Sequence, residues 1–130
     1  MIVDSSALLA IVREEPEGRL FVEAIYDAPV SRISAGTLLE ATIVIDARGD
    51  AIASRRLDDF IALTGIVVEP VTREHADIGR AAYRDFGKGS RSPAKLNYGD
   101  CFAYALAKTT GEVLLFKGND FSHTDVRAAV

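Results

Sequence analysis

Four carboxylates are spaced so that each stands at or near the end of an apolar stretch: Asp4, Glu40, Asp100 and Asp120. Asp4 follows Met1-Ile2-Val3, Asp100 opens the apolar run Cys101 to Leu106, and Asp120 comes just after Val113-Leu114-Leu115-Phe116. Glu40 is the only charge between Ala35 and Ile45. Buried without a partner, such an acid costs several kcal/mol. Acids drawn to one rim repel one another unless a cation lies between them. With oxygen donors and no His or Cys partner, the ion they favour is hard, Mg²⁺ or Mn²⁺. One such ion, or two about 4 Å apart, orients water and stabilises the charge of phosphodiester cleavage. Each acid taken alone has a plainer use. Asp4 lies between a strand and a helix, where Asp is a common cap, and Ser5 or Ser6 can serve there as well. Asp100 stands three residues after Asn97, the spacing of a reciprocal capping pair. Asp125 is a second candidate for the fourth acid.

The elements that must hold these groups alternate along the chain. Met1-Ile2-Val3 is a strand leading through Asp4-Ser5-Ser6 into a helix over Ala7–Val12. Pro16 suits a first helical position, and Leu20, Phe21, Ala24 and Ile25 give that second helix an apolar face. A strand runs from Pro29-Val30 through Ile33, and Ser34 caps a helix over Ala35–Ile45. Asp50 caps another, with Ala53, Leu57, Phe60, Ile61 and Thr64 on one side, and Gly65 stops it before the strand Ile66-Val67-Val68. Thr72 opens a fifth helix, with Ala76, Gly79, Ala82, Tyr83 and Phe86 expected to face inward and Gly87 closing it. After a Gly/Ser/Pro/Lys/Arg loop at 88–95, Asn97 caps a last helix that is apolar nearly all round, as buried helices are. Gly111 breaks it, and Val113–Phe116, apolar on both faces, matches a covered parallel strand. This order predicts a three-layer α/β/α sandwich around a parallel sheet. Its functional crevice lies beyond the carboxyl ends of the strands. Asp4, Asp100 and Asp120 belong to that edge, and Glu40 is near the end of the second strand.

The composition adds limits. The 130 residues are 48% hydrophobic, as expected of one globular domain with a real core. A formal charge of −4 argues against a protein that coats DNA, though not against a local nucleic-acid surface. The single cysteine, Cys101, precludes an internal disulfide, fits a reducing compartment, and is expected to be inert packing. His75 and His123 have no Cys nearby to complete a zinc site. The apolar run Ala7–Val12 is far shorter than the about 20 residues that span a bilayer, so a cytoplasmic location is expected.

Asp4-Ser5-Ser6-Ala7-Leu8, Leu39-Glu40, Tyr98-Gly99-Asp100-Cys101 and Phe116-Lys117-Gly118-Asn119-Asp120-Phe121 together resemble the motif set of PIN-domain ribonucleases. More narrowly, they are similar to the VapC toxins of bacterial VapBC toxin–antitoxin pairs. The resemblance runs the whole chain and implies a single PIN domain over residues 1–130. It implies a Mg²⁺- or Mn²⁺-dependent endoribonuclease that inhibits translation until a VapB antitoxin occupies its groove, and it implies a homodimer. By motif, Asp4 and Asp100 are the main metal ligands, Glu40 completes the set directly or through water, and Asp120 is the peripheral fourth acid. Ser6 falls where the family has a hydroxyl that hydrogen-bonds the first Asp.

The RNA side rests on charge. Arg73, Asp77, Arg80 and Arg84 share a helix face, and Lys88, Arg91 and Lys95 continue beyond it. From Arg84 to Lys95, four basic residues and one acid leave a local balance of +3. That stretch is either an ordinary solvated face or a rim contacting the RNA backbone through Arg80, Arg84, Lys88, Arg91 and Lys95. Tyr83, Tyr98 and Phe86 are expected in the core or the groove wall, with base stacking as the alternative. Other classes fit less well. A haloacid-dehalogenase-type phosphotransferase wants an acid two residues after Asp4, where Ser6 stands. A receiver domain needs an acceptor Asp after the middle strand, and Val68-Glu69-Pro70 has none. A non-catalytic binding module would be expected to have lost one of the four acids.

Overall fold

The computed structural model describes residues 1–130. Its elements are β1 (Ile2–Val3), α1 (Ser5–Val12), α2 (Gly18–Asp27), β2 (Arg32–Ser34), α3 (Ala35–Asp46), α4 (Ala51–Thr64), β3 (Val67–Glu69), α5 (Arg73–Phe86), α6 (Asp100–Thr110) and β4 (Leu114–Leu115). A short 3₁₀ turn, Phe121–His123, follows. The strands form one parallel sheet in the order β3-β2-β1-β4. The chain steps outward from β1 to β3, then returns to the opposite side of β1. The strand order therefore reverses between β1 and β4, the place where parallel sheets open a crevice. Asp4 ends β1 at that point, and Lys117 to Asp120 leave β4 beside it.

Strand alternation divides the core in two. Val3, Ile33 and Leu115 join Ala7, Leu8, Phe21, Ala41, Ile45 and Leu57 in a cluster packed by α1 to α4. Ile2 and Leu114, one residue away in β1 and β4, join Ala82, Leu96, Ala103, Tyr104 and Leu106 in a second cluster under α5 and α6. The layers are thus helices, sheet and helices, as the element order predicts. Both β4 residues are fully buried, in keeping with the covered strand expected there.

Local chemistry sets the boundaries. Asp4 caps α1 through the Ser6 N–H, so the helix begins at Ser5 rather than Ala7. Ser34 caps α3, Asp50 caps α4 through two backbone N–H groups, and Gly65 ends α4 in the left-handed region at φ 64°. Thr72 and His75 close a capping box at the start of α5.

Several expectations need correction. Pro16 does not open α2, which starts at Gly18. A Cβ at Gly18 would come within 2.9 Å of the Ala10 carbonyl, so the chain turns against α1 before the helix starts. The second and third strands sit later than expected, at Arg32–Ser34 and Val67–Glu69. Ala76 and Tyr83 do not face inward but are exposed. The reason is that α5 packs mainly on α6, with Gly79 seated on Cys101, so only a narrow stripe is covered. Tyr98 lies outside the core, 78% exposed, and takes the other expected place, in the wall of a groove beside α3. It meets the Phe102 ring edge-on, the centroids 5.1 Å apart.

Candidate active site

Asp4 is 2% exposed at the end of β1. Its Oδ2 accepts the Ser6 N–H at 2.9 Å and the Ser6 hydroxyl at 2.6 Å. Its Oδ1 is buried and has no hydrogen-bond partner. Buried polar atoms are paired in nearly all native structures, so this one stands out. Ser6 is held in turn by the Lys117 N–H, which donates to its Oγ at 2.9 Å from the end of β4.

Asp100 is 8% exposed in the first turn of α6. Its Oδ2 accepts the Asn97 N–H at 2.8 Å, and the Asn97 side-chain oxygen accepts the Asp100 N–H at 2.9 Å. Asn97 therefore forms the expected reciprocal pair, but the helix proper starts after Gly99. Oδ1 of Asp100 makes no protein hydrogen bond. Burial pushes the Asp100 carboxyl up to about 7, against the lowering effect of the Asn97 N–H. The charges of Asp4, Asp120 and Glu40 raise it further. Asp4 is raised as well, first by burial, and Glu40 adds to it while the Ser6 bonds pull it down.

Glu40, half-buried on α3, accepts a hydrogen bond from the Ser5 hydroxyl at 3.0 Å. Its carboxylate lies against the backbone of Gly99, where an added Cβ would meet Oε1 at 2.1 Å. Only a residue without a side chain leaves Glu40 that position next to Asp100. Asp120 is exposed, and its carboxylate makes no hydrogen bond. It follows β4, the strand paired with β1, and its charge adds to the raising of the Asp100 carboxyl. Asp125 is elsewhere. It accepts from the Tyr104 hydroxyl at 2.7 Å and the Lys108 ammonium at 2.8 Å, both on α6, and these two partners hold its carboxyl below the usual range.

No three of these acids converge tightly enough, as positioned, to grip an ion together. Asp4 commits one oxygen to the cap of α1 and Asp100 one to the Asn97 turn before α6, and each keeps the other free. A donor set of hard oxygens with one buried, orphaned oxygen fits Mg²⁺ or Mn²⁺. Mg²⁺ typically keeps several waters and takes only one or two carboxylates. Ser5, Gly99 and Lys117 belong to the site's support and were not singled out as such in the sequence. Each acts through a contact between distant elements that no local pattern announces.

The basic residues divide. Arg84 is paired with Asp85 at 3.0 Å and Arg73 with Asp77 at 3.2 Å. Arg80, Lys88, Arg91 and Lys95 are exposed without a carboxylate partner. The 88–95 loop folds back through Lys88 N–H to the Leu96 carbonyl and Leu96 N–H to the Phe86 carbonyl. This places the Lys88 backbone beside Leu96, just before the Asn97–Asp100 turn. Cys101 is half-buried, with its thiol on the Asn97 carbonyl, and burial pushes it up to about 11, as befits an unreactive thiol.

Known proteins share this architecture. The PIN domain family matches residues 1–127. Ribonuclease VapC28 of Mycobacterium tuberculosis is 51% identical over 130 residues, covering 100% of this chain and 98% of its own. Ribonuclease VapC of Mycolicibacterium smegmatis is 46% identical over 128 residues, with 98% of each covered. Among solved structures, M. tuberculosis VapC20, described as a sarcin-ricin loop cleaving toxin, superposes with a TM-score of 0.76 at 16% identity, covering 96% of this chain and 95% of that one. A toxin–antitoxin complex from Klebsiella pneumoniae gives 0.70 at 18%, covering 95% and 92%. These two carry the fold, and the closer relatives carry the family. No helix is long and apolar enough to cross a membrane. The chain belongs to the PIN-domain family, among its VapC ribonucleases.

Proposed function

We propose that the chain is the toxin of a VapBC-type toxin–antitoxin pair, one PIN domain over residues 1–130 that cleaves RNA phosphodiester bonds in the cytoplasm with Mg²⁺ or Mn²⁺. The observation that carries this is the pair of free carboxylate oxygens at the β1–β4 crevice, one of them the buried Oδ1 of Asp4. Asp4 and Asp100 would hold the cation, with Glu40 and Asp120 beside them. Bound there, it would supply positive charge to the scissile phosphate and an orienting point for the attacking water. The residues themselves do the rest. Ser6 fixes Asp4, Asn97 fixes Asp100, and Ser5 with Gly99 fixes Glu40. With its carboxyl near 7, Asp100 releases its proton close to neutrality and becomes an anionic ligand. Asp120, exposed and unpaired, is free to accept from water at the rim.

The RNA backbone would run past Arg80, Lys88, Arg91 and Lys95, whose charges are unspent. Arg84, neutralised by Asp85, contributes least. Leu39 and Ile43 on α3, 61% and 57% exposed, stand with Tyr98 and Phe102 around a groove that Glu40 also lines. An apolar face of this kind suits a homodimer contact that brings two sites together. The antitoxin would restrain the enzyme by covering the crevice, a partner class consistent with the Klebsiella complex.

The test is a brief pulse of expression followed by sequencing of new RNA 5′ ends. Discrete ends that vanish for Asp100→Asn are expected. The same ends from that variant would contradict the proposal.

A further inference from the structure

The chain leaving β4 is fastened at two levels by one residue. Through its backbone, the Lys117 N–H donates to Ser6 Oγ at 2.9 Å. Because that hydroxyl has one proton and its acceptor side is occupied, the proton points to Asp4 Oδ2, 2.6 Å away. Asp4 Oδ1 is thereby left as the free oxygen. Through its side chain, the Lys117 ammonium donates to Glu15 at 2.5 Å and lies 3.3 Å from Glu17, both in the connection between α1 and α2. No strand or helix holds residues 116–120, and Gly118 turns the chain at φ 97° directly before Asn119 and Asp120. Phe116 anchors the start of this segment against the second core cluster, and past it the ionic clamp ties the chain to the connection between α1 and α2.

We propose that Glu15, Lys117 and Glu17 form a positioning clamp for cation binding. This rests on the metal-dependent function proposed above. The clamp keeps the Lys117 N–H on Ser6, so that Asp4 presents Oδ1 to the crevice, and it sets where the chain turns toward Asp120. It also keeps the ammonium on two glutamates and off the acidic rim, where it would compete with the cation for the same carboxylates. Exposed ion pairs contribute little to global stability. The consequence of losing this one is therefore local, in the geometry of the ligands rather than in the fold.

The test is Mn²⁺ binding to RNA-free protein, read by electron paramagnetic resonance of the unbound ion. Comparison is made between wild type, Lys117→Met, Lys117→Arg, the double variant Glu15→Gln/Glu17→Gln, and Asp100→Asn. Partners one step removed from a ligand commonly change metal affinity 10- to 100-fold, and a clamp acting through Ser6 should fall at the low end. Lys117→Met and the double variant are expected to weaken Mn²⁺ binding by roughly tenfold, with part of the lost cleavage restored as Mn²⁺ is raised. Lys117→Arg should keep most of the affinity. Unchanged Mn²⁺ affinity in both clamp variants, with affinity lost in Asp100→Asn, would overturn the clamp and leave the metal site standing. A Lys117→Met defect confined to RNA affinity and its salt dependence would also overturn it, making Lys117 a phosphate contact. Mn²⁺ affinity equal in wild type and Asp100→Asn would overturn the clamp together with the metal site beneath it.

Discussion

Asn97 and Asp100 exchange two hydrogen bonds, 2.8 and 2.9 Å long, and the exchange uses only one of the two Asp100 oxygens. Asp4 is divided in the same way by Ser6. Capping and ion binding are therefore not rival uses of these acids, because the protein bonds occupy one oxygen and leave the other free. Asp100→Asn keeps a side-chain oxygen for the Asn97 N–H and removes a charge that its neighbours oppose. RNA cleavage should fall by at least about a hundredfold, while the metal-free thermal midpoint holds or rises. Cleavage assays alongside thermal melts check both halves.

Gly99→Ala offers a separate handle on Glu40. The Gly99 backbone is already helical, at φ −63° and ψ −40°, so alanine is compatible and should stabilise by up to about 1 kcal/mol. Its Cβ, however, would occupy the space of the Glu40 carboxylate. The expected outcome is a more stable protein whose cleavage is about tenfold slower. Equal or faster cleavage would show that Glu40 need not lie there.

Asp120 and Asp125 should part company on substitution. Asp120→Asn is expected to slow cleavage several-fold with little change in stability, and added Mn²⁺ should restore part of the rate. Asp125→Asn loses charge opposite Lys108 and weakens the bond from Tyr104, costing about 1 kcal/mol in urea melts. Its cleavage should stay near wild type. A metal-rescued defect in Asp125→Asn alone would reverse the assignment.

The raised carboxyls predict the pH dependence of metal stabilisation. Folding lifts Asp100 from 3.8 to about 7, so without metal the native state holds a proton that the unfolded chain has released. That contribution to stability is complete below the unfolded value and is lost as pH rises through about 7. A cation requires the ionised form and so binds better above that range. Thermal melts with and without Mn²⁺ should show a larger upward shift at about pH 8 than at about pH 6. A shift that shrinks with rising pH would contradict the proposed role of Asp100.

Much of this was legible in residue types and spacing. Asp4, Glu40, Asp100 and Asp120 each interrupt an apolar pattern, and caps such as Ser34, Asp50 and Thr72 bracket their helices because the backbone N–H groups there need a local acceptor. What escaped depends on approach between distant segments. Gly99 reads as a turn residue until α3 brings Glu40 over it, and Lys117 reads as a surface charge until α1 and α2 bring Glu15 and Glu17 beneath it. Ala76 and Tyr83 have helical spacing that suits an inner face, yet α5 has α6 as its chief neighbour and leaves them in solvent. Periodicity shows that a face exists; it does not show how wide a partner will cover it.

The crevice between β1 and β4 is proposed to hold a divalent cation on Asp4 and Asp100. Crystals grown or soaked with Mn²⁺ and measured for its anomalous scattering test this directly. An anomalous peak joining Asp4 Oδ1 to Asp100 is expected, with Glu40 or Asp120 reached directly or through water, and no such peak in Asp100→Asn. A well-ordered crevice without a peak at saturating Mn²⁺, or an ion bound instead at Asp125, would contradict it.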